Sequence, residues 1–280
     1  MIVCVNGKFF PRNKAKISAL DNGFLYGDGV YETMRVYDGV VFEFDQHLAR
    51  LQKSTNAIGL KIVWPLAKIR EWTYKIIKSN RLKSARARIT VSRGENGPDF
   101  NSCKNPTLVI NAQKLILDPK IYRDGMAAVT LRLQRILPEI KTVGLTHMIQ
   151  GYRAMDLSKV EEGIIVDKKD FVREGLATNV FVVRNGVIWT PKTGILMGTT
   201  RGLVIKLARD NHVKVVEKDF KIGELLKADE IFVTNRPKEI MPVTKLNGKK
   251  VGNGKVGEIT KRMMKAYRGF VEEYVRRVNI

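Results

Sequence analysis

Cysteine and histidine are scarce in this sequence of 280 residues, which contains two cysteines and three histidines. Two cysteines cannot build a disulfide framework or a cysteine-rich zinc site, and the histidines show no HExxH spacing. No run of about 18 consecutive apolar residues occurs, so no membrane-spanning helix is expected. The N-terminal residues MIVCVNGKFF lack the basic and long apolar regions of a signal peptide. We therefore expect a cytoplasmic protein that holds no metal ion.

Acidic residues are also few, 28 against 50 basic residues, which gives a formal net charge of +22. Such a surplus attracts polyanions and makes nucleic-acid binding a function to consider. However, the basic residues are spread along the whole chain, and zinc-finger spacing, an RRM aromatic signature and a basic region followed by heptads are absent. The pattern favours a solvated lysine-rich surface and leaves nucleic-acid binding as a remote alternative.

Strand and helix signals alternate along the chain, whose length corresponds to about two domains. Asn6-Gly7 and Asp38-Gly39 predict hairpins over residues 2–10 and 30–44. Asp45 is expected to cap a helix, and Pro65 to open the next one. Apolar periodicity predicts further helices over 146–159, 200–211 and 257–277, and strands over 85–92, 107–112, 127–134, 163–166, 178–183, 186–190, 213–217 and 230–234.

A change in the sequence pattern near Pro119 predicts a domain boundary. Residues 118–124 are expected to form an interdomain linker. On this interpretation residues 1–117 form a small N-terminal α/β domain and residues 125–280 a larger C-terminal α/β domain. Because clefts between domains commonly hold cofactors and small ligands, we expect the functional site there.

Several short motifs follow one another in a recognisable order. The series is LYGDGVYET at 25–33, HLARL at 47–51, VSRG at 91–94, IKT at 140–142, REG at 173–175, ATNVF at 177–181, GTTR at 198–201 and IMPV at 240–243. In this order the motifs resemble the fold-type IV pyridoxal-phosphate enzymes, a family that includes branched-chain aminotransferases, D-amino-acid transaminases and aminodeoxychorismate lyases. The resemblance covers nearly the whole chain and implies a two-domain α/β fold with pyridoxal 5'-phosphate in the interdomain cleft.

The resemblance assigns a cofactor role to several residues. Lys141 matches the Schiff-base lysine, which the chemistry requires as an amine that can be neutral near pH 7. Glu174 matches the carboxylate that pairs with the pyridine nitrogen, so that the ring can accept electrons from the substrate. Arg50 matches the phosphate-binding arginine. Thr199 and Thr200 begin a predicted helix, whose free N–H groups suit a phosphate.

Arg236 is a departure from the family, whose members tend to have a small hydroxyl residue at this position. It is expected to supplement phosphate binding, to hold a substrate carboxylate, or to point into solvent.

Three residues are expected to bind substrate: Tyr31 and Arg88, which match substrate positions of the family, and Arg35. Tyr31 and Arg35 alternate on one predicted strand, and Arg88 shares a strand face with Arg86 and Thr90. D-amino-acid transaminases of the best-known type hold the α-carboxylate with an arginine and a histidine in the loop after RG at 93–94. That loop reads ENGPDF here, which counts against a standard D-amino-acid enzyme unless Arg88 or Arg236 replaces the clamp.

The resemblance implies an aminotransferase that moves an amino group between an amino acid and a 2-keto acid by a ping-pong mechanism. The donor is expected to be a D-amino acid or a branched-chain L-amino acid. Relatives build each active site from two subunits, so a homodimer is expected. The alternative on the same scaffold is an aminodeoxychorismate lyase, which eliminates pyruvate instead of transferring the amine.

Overall fold

The computed structural model describes residues 1–278, which by their internal contacts form two compact units. The first unit comprises Met1–Ile116, Ile140–Gly144 and the described residues from Glu273 onward; the second comprises Leu117–Glu139 and Leu145–Glu272. The sequence places the boundary in a linker at 118–124. In the structure Asp118 caps a short helix there, and Lys141 belongs to the first unit rather than to the C-terminal part of the chain.

The first unit is built on an antiparallel sheet of six strands in the order β2-β1-β6-β5-β3-β4. The strands are β1 (Ile2–Val5), β2 (Lys8–Pro11), β3 (Gly29–Tyr37), β4 (Val40–Val41), β5 (Ala85–Ser92) and β6 (Thr107–Lys114). The helices are α1 (Asn22–Leu25), α2 (Phe44–Ala57) and α3 (Leu66–Ser79). Alternate residues of β3 and β5 face a core that α2 and α3 cover, and the other residues line the opposite face of the sheet.

The second unit contains a mixed sheet in the order β12-β11-β10-β13-β14-β7-β8-β9, with β15 beside β14. Its strands are β7 (Met126–Arg132), β8 (Glu162–Val166), β9 (Val172–Gly175), β10 (Asn179–Arg184), β11 (Val187–Thr190), β12 (Val215–Glu217), β13 (Glu230–Asn235), β14 (Glu239–Leu246) and β15 (Lys249–Lys250). Its helices are α4 (Pro119–Asp124), α5 (Thr146–Arg153), α6 (Thr199–Asp210), α7 (Ile222–Leu226) and α8 (Glu258–Val278), whose last residues belong to the first unit. Strand β9 pairs with β10 as well as β8, so that Glu174 lies directly opposite Asn179.

Most predicted elements are present, with two informative differences. Helix α2 begins at Phe44, and its N-cap is Glu43 with a left-handed φ of 49°, so the prediction of Asp45 as the cap is wrong. Helix α5 ends at Arg153 instead of Lys159, because Asp156 accepts hydrogen bonds from the backbone and hydroxyl of Ser158 and starts a turn. None of the helices described in residues 1–278 has the length and apolarity that a bilayer crossing requires.

Candidate active site

Lys141 is fixed beside the first residues of β3 by backbone hydrogen bonds. The N–H of Tyr31 donates to the carbonyl of Lys141, and the N–H of Val143 donates to the carbonyl of Gly29, each over 2.9 Å. This pairing adds residues 141–143 to β3 as a short extra strand, with a bridge between Val30 and Thr142. The Lys141 Nζ lies 4.8 Å from the centre of the Tyr31 ring. These backbone hydrogen bonds therefore fix the position of Lys141, although its segment is irregular.

Arg88 lies against the same tyrosine ring from the neighbouring strand. Its guanidinium carbon is 3.7 Å from the ring centre of Tyr31, and its Nε donates to the Thr90 hydroxyl over 3.1 Å. Burial lowers the pKa of Arg88, and the neighbouring Arg86 lowers it further, whereas Tyr31 raises it. The structure therefore brings Tyr31, Arg88 and Lys141 together, in a cluster with two cations around one aromatic ring.

Arg35 is on the same face of β3 but contacts another ring. Its guanidinium carbon lies 4.8 Å from the centre of the Tyr37 ring, and the side chain is buried. Within residues 1–278 its Nε and Nη1 atoms are buried and have no hydrogen-bond partner. The predicted substrate residue Arg35 is therefore a buried cation with unused donors, separated from Tyr31 on this face of β3 by Thr33.

Arg50 is held on the opposite face of β3 by a buried carboxylate. Glu32 accepts from Arg50 Nε over 2.6 Å and from Arg50 Nη2 over 2.7 Å, and His47 Nδ1 lies 2.7 Å from the same carboxylate. Burial by itself raises the pKa of Glu32, but Arg50 and His47 lower it to about 2. Glu32 is therefore ionised at neutral pH, and its bidentate pairing fixes the plane of the guanidinium.

Glu174 is the penultimate residue of β9 in the second unit and is buried among donors. Its Oε2 accepts from the backbone N–H of Leu196 over 2.9 Å, and its Oε1 accepts from Arg135 Nη1 over 2.8 Å. Asn179, opposite Glu174, donates from Nδ2 to the carbonyl of Leu196 over 2.8 Å. The backbone N–H and carbonyl of Leu196 are thus held by the facing side chains of Glu174 and Asn179, and these bonds fix the orientation of the Glu174 carboxylate.

The first turn of α6 lies beside Arg236. The Nε of Arg236 donates to the Thr199 hydroxyl over 3.2 Å, and its Nη1 lies 3.5 Å from the hydroxyl of Tyr267 on α8. Within residues 1–278 the hydroxyls of Thr200 and Thr234 are buried and have no hydrogen-bond partner. Arg236 is buried, so the expectation that it points into solvent is wrong. A guanidinium, two unused hydroxyls and a helix N-terminus form the donor set that an anion requires.

Sequence reasoning did not identify Glu32 and Arg135, which hold Arg50 and Glu174 in place. Glu32 carries a detectable signal, because it is a charged residue on the apolar side of β3, and His47 and Arg50 share one helix face at a spacing of three. Arg135 lies in an irregular stretch after β7 and offers no such signal. His147 lies near it: burial lowers the pKa of His147, and Arg135 lowers it further.

The sequence pattern of the family described as class IV amino-transferases matches residues 29–246. A Methanocaldococcus jannaschii protein provisionally named a branched-chain-amino-acid aminotransferase is 35% identical over 96% of this chain and 96% of its own. A D-alanine aminotransferase of Listeria innocua is 31% identical over 99% of this chain and 97% of its own. The Escherichia coli branched-chain amino acid aminotransferase structure has a TM-score of 0.91 and 28% identity, covering 96% of this chain and 93% of that one.

A 4-amino-4-deoxychorismate lyase structure from Pseudomonas aeruginosa has a TM-score of 0.82 and covers 95% of this chain and 98% of that one. At 24% identity this likeness shows the fold alone. The relatives with higher identity carry aminotransferase names, and the family pattern spans most of the chain. These findings confirm the fold and the resemblance that the motifs indicated. The chain therefore belongs to the class IV aminotransferases, a family of pyridoxal-phosphate-dependent enzymes.

Proposed function

We propose that Lys141 is the catalytic residue of a pyridoxal-phosphate aminotransferase that moves an amino group between an amino acid and a 2-keto acid. The observation that carries the proposal is the Tyr31, Arg88 and Lys141 cluster within the family-matched segment. The cluster fixes the position of the Lys141 amine, whose neutral form is the one that attacks a carbonyl carbon.

The donor sets of both units fit the cofactor. Thr199, Thr200 and Arg236 would hold its phosphate together with Arg50, because buried hydroxyls, a helix N-terminus and guanidinium groups are all donors to a dianion. The Glu174 carboxylate would accept from the ring N–H. A carboxylate oxygen has two lone pairs, so it can accept this bond in addition to those from Leu196 and Arg135.

The residues of the chain have distinct tasks in the reaction. When bound, the cofactor supplies an electron-withdrawing ring that stabilises negative charge at the substrate α-carbon. As a general base and acid, Lys141 Nζ would take the proton from that carbon and return it to C4′ of the cofactor, on the other side of the amine nitrogen. Glu174 would keep the ring nitrogen protonated. The amino group is stored between two half-reactions, and ping-pong kinetics follow.

Arg88 is proposed to bind the substrate carboxylate, with Tyr31 as the pocket wall and Arg35 as a second cation further along β3. A partly buried guanidinium stacked on a ring is rigid and suits bidentate binding of a carboxylate. The proposed donors are branched-chain L-amino acids or D-amino acids, and the relatives are named for branched-chain amino acids and for D-alanine.

A cytoplasmic homodimer is proposed as the active form. The segment around α1 exposes a patch of apolar side chains, and Phe24 is 72% exposed. Its other members are Ile17, Leu20, Leu25, Tyr26 and Phe100. A patch of this kind on one unit suits a second copy of the chain. The unpaired thiols of Cys4 and Cys103 suit a reducing compartment.

Borohydride reduction of the cofactor-loaded protein tests the role of Lys141. Peptide mapping should find the reduced cofactor on Lys141, and Lys141→Ala should abolish the visible absorption that Lys159→Ala, an exposed control, retains. Label on another lysine would overturn the proposal.

A paired substitution on β5 tests the substrate role. Arg88→Gln should raise the KM for the amino acid and keto acid by about tenfold or more, the loss of one charge-assisted contact. Arg86→Gln, on the same face but exposed, should leave KM unchanged. Equal effects of the two substitutions would remove Arg88 from substrate binding.

A further inference from the structure

A further buried carboxylate, Glu162, has no task in the proposed reaction. It begins β8 and is 4% exposed. Its Oε1 accepts from the N–H groups of Gly163 and Leu176 over 3.0 and 3.1 Å, and its Oε2 accepts from the Thr178 hydroxyl over 2.9 Å. A buried carboxylate is costly, so three such bonds at one place need an explanation.

The bonds of Glu162 reach the turn of residues 175–178, which joins β9 to β10. The turn is tight, because the N–H of Gly175 donates to the carbonyl of Thr178 over 2.8 Å. A Cβ on Gly175 would lie 2.0 Å from the Thr178 hydroxyl oxygen and 3.0 Å from the Glu162 carboxyl carbon. The turn and the carboxylate are therefore packed against each other with no room for a side chain.

The residues that flank this turn are Glu174 and Asn179, which face each other across the two strands. Both hold the backbone of Leu196, over 2.9 and 2.8 Å. Gly198 follows, and a Cβ on it would lie 2.1 Å from the Asn179 side-chain oxygen. A displacement of the turn would therefore change the direction of the Glu174 carboxylate and the start of α6 together.

We propose that Glu162 is a positioning residue for the cofactor: it fixes the 175–178 turn and through it the carboxylate of Glu174. This inference rests on the proposed function, because the task of Glu174 is part of that function. Glu162 itself touches neither substrate nor cofactor in this scheme.

The first measurement is amide hydrogen exchange over residues 172–180 of the cofactor-free protein. Glu162→Ala should accelerate exchange at Leu176, whose N–H keeps only its bond to the Gly163 carbonyl, by about tenfold or more. Exchange at Gly175 should also accelerate, because its bond to the Thr178 carbonyl depends on the turn that Glu162 holds. Glu162→Gln should restore most of the protection, because its amide oxygen still accepts from Leu176 and its NH2 donates to Thr178. Glu161→Ala, at the neighbouring exposed position, is the matched control and should leave this region unchanged.

The second measurement is the dissociation constant for pyridoxal phosphate together with the pH dependence of the visible spectrum. Glu162→Ala and Thr178→Val should weaken cofactor binding by about fivefold to tenfold and shift the spectral titration, and Glu162→Gln should lie near the wild type. A structural role alone would lower the melting temperature and leave both properties unchanged, which overturns the inference.

The wild-type protein separates the two proposals. If it binds pyridoxal phosphate at Lys141 normally and Glu162→Ala and Thr178→Val do so equally well, this inference alone fails. If the wild type forms no linkage at Lys141, the proposed function fails and this inference fails with it. Should Glu162→Ala not fold, Thr178→Val and Glu162→Gln still decide the question.

Discussion

Replacement of Glu32 by glutamine should expose how strongly charge holds Arg50 in place. Glu32 is 1% exposed and binds Arg50 through two short hydrogen bonds, with His47 on the same carboxylate. Glu32→Gln keeps the size of the side chain and removes the charge. The guanidinium then remains largely buried with a neutral partner, which is the costly half of a broken ion pair.

The magnitude follows from the pKa of Glu32, which falls from its ordinary value of 4.5 to about 2. At 1.36 kcal/mol for each pKa unit, this difference corresponds to about 3 kcal/mol of folding free energy. Because the folded pKa is the lower one, the stabilisation is complete above pH 4.5 and is lost as the pH falls towards 2. At pH 3 about 1 kcal/mol of it should remain.

Urea unfolding of the cofactor-free protein at pH 7 and pH 3 measures the effect. The free energy of unfolding of Glu32→Gln should lie about 3 kcal/mol below that of the wild type at pH 7, and about 1 kcal/mol below it at pH 3. Glu71→Gln is the control, since Glu71 pairs with Lys68 on the surface and should contribute less than about 1 kcal/mol. A difference that is the same at both pH values would refute the account of Glu32 as an ionised partner.

Two further substitutions test the second unit. Glu162→Gln should stabilise the protein increasingly as the pH rises from 5 to 8, by up to about 3 kcal/mol, because burial raises the pKa of Glu162 to about 7 and ionisation then costs folding free energy. Lys238 opposes that shift. If the argument were wrong, urea unfolding of the wild type and of Glu162→Gln would show the same difference in the free energy of unfolding at every pH in this range. Gly198→Ala should weaken phosphate and cofactor binding by about tenfold, because the new Cβ meets the Asn179 side-chain oxygen at 2.1 Å and α6 must shift. Isothermal titration measures the effect, and Gly202→Ala is the control, because a Cβ on Gly202 meets open space.

Local sequence signals were sufficient to predict the elements that a single turn or helix start determines. The hairpin turns at Asn6-Gly7 and Asp38-Gly39 are present with positive φ, and Pro65 precedes α3 as expected. Strand β14 was not predicted, because Pro242 interrupts its pattern; in the structure Pro242 pairs with Phe232 inside the sheet. Sequence patterns therefore succeed where one turn or one helix face decides the outcome.

The residues of the candidate site also divide into those that sequence motifs identify and those that they do not. The motifs identified Lys141, Glu174 and the start of α6 by resemblance, and their assigned tasks stay predictions. Neither the bond from Arg135 to Glu174 nor the bonds from Glu162 to the 175–178 turn could be derived from spacing, since each joins segments that only the folded chain brings together. Tertiary hydrogen bonds of this kind have no periodic signature in a single sequence.

The loop after Gly94 bears on which substrate the site accepts. Its Glu95 accepts a hydrogen bond from the Ser18 hydroxyl, and the pKa of Asp99 is lowered by hydrogen bonds from Ser102. Two carboxylates therefore lie in the loop in which D-amino-acid transaminases of the best-known type carry an arginine and a histidine, and like charges repel a substrate carboxylate. Besides Lys141, the cation that the first unit offers at the Tyr31 ring is Arg88, which is on a sheet strand and not on the loop. A D-amino donor would consequently have to bind through Arg88 or Arg236, and the loss of D-activity in Arg88→Gln or Arg236→Thr would show which of the two replaces the missing clamp.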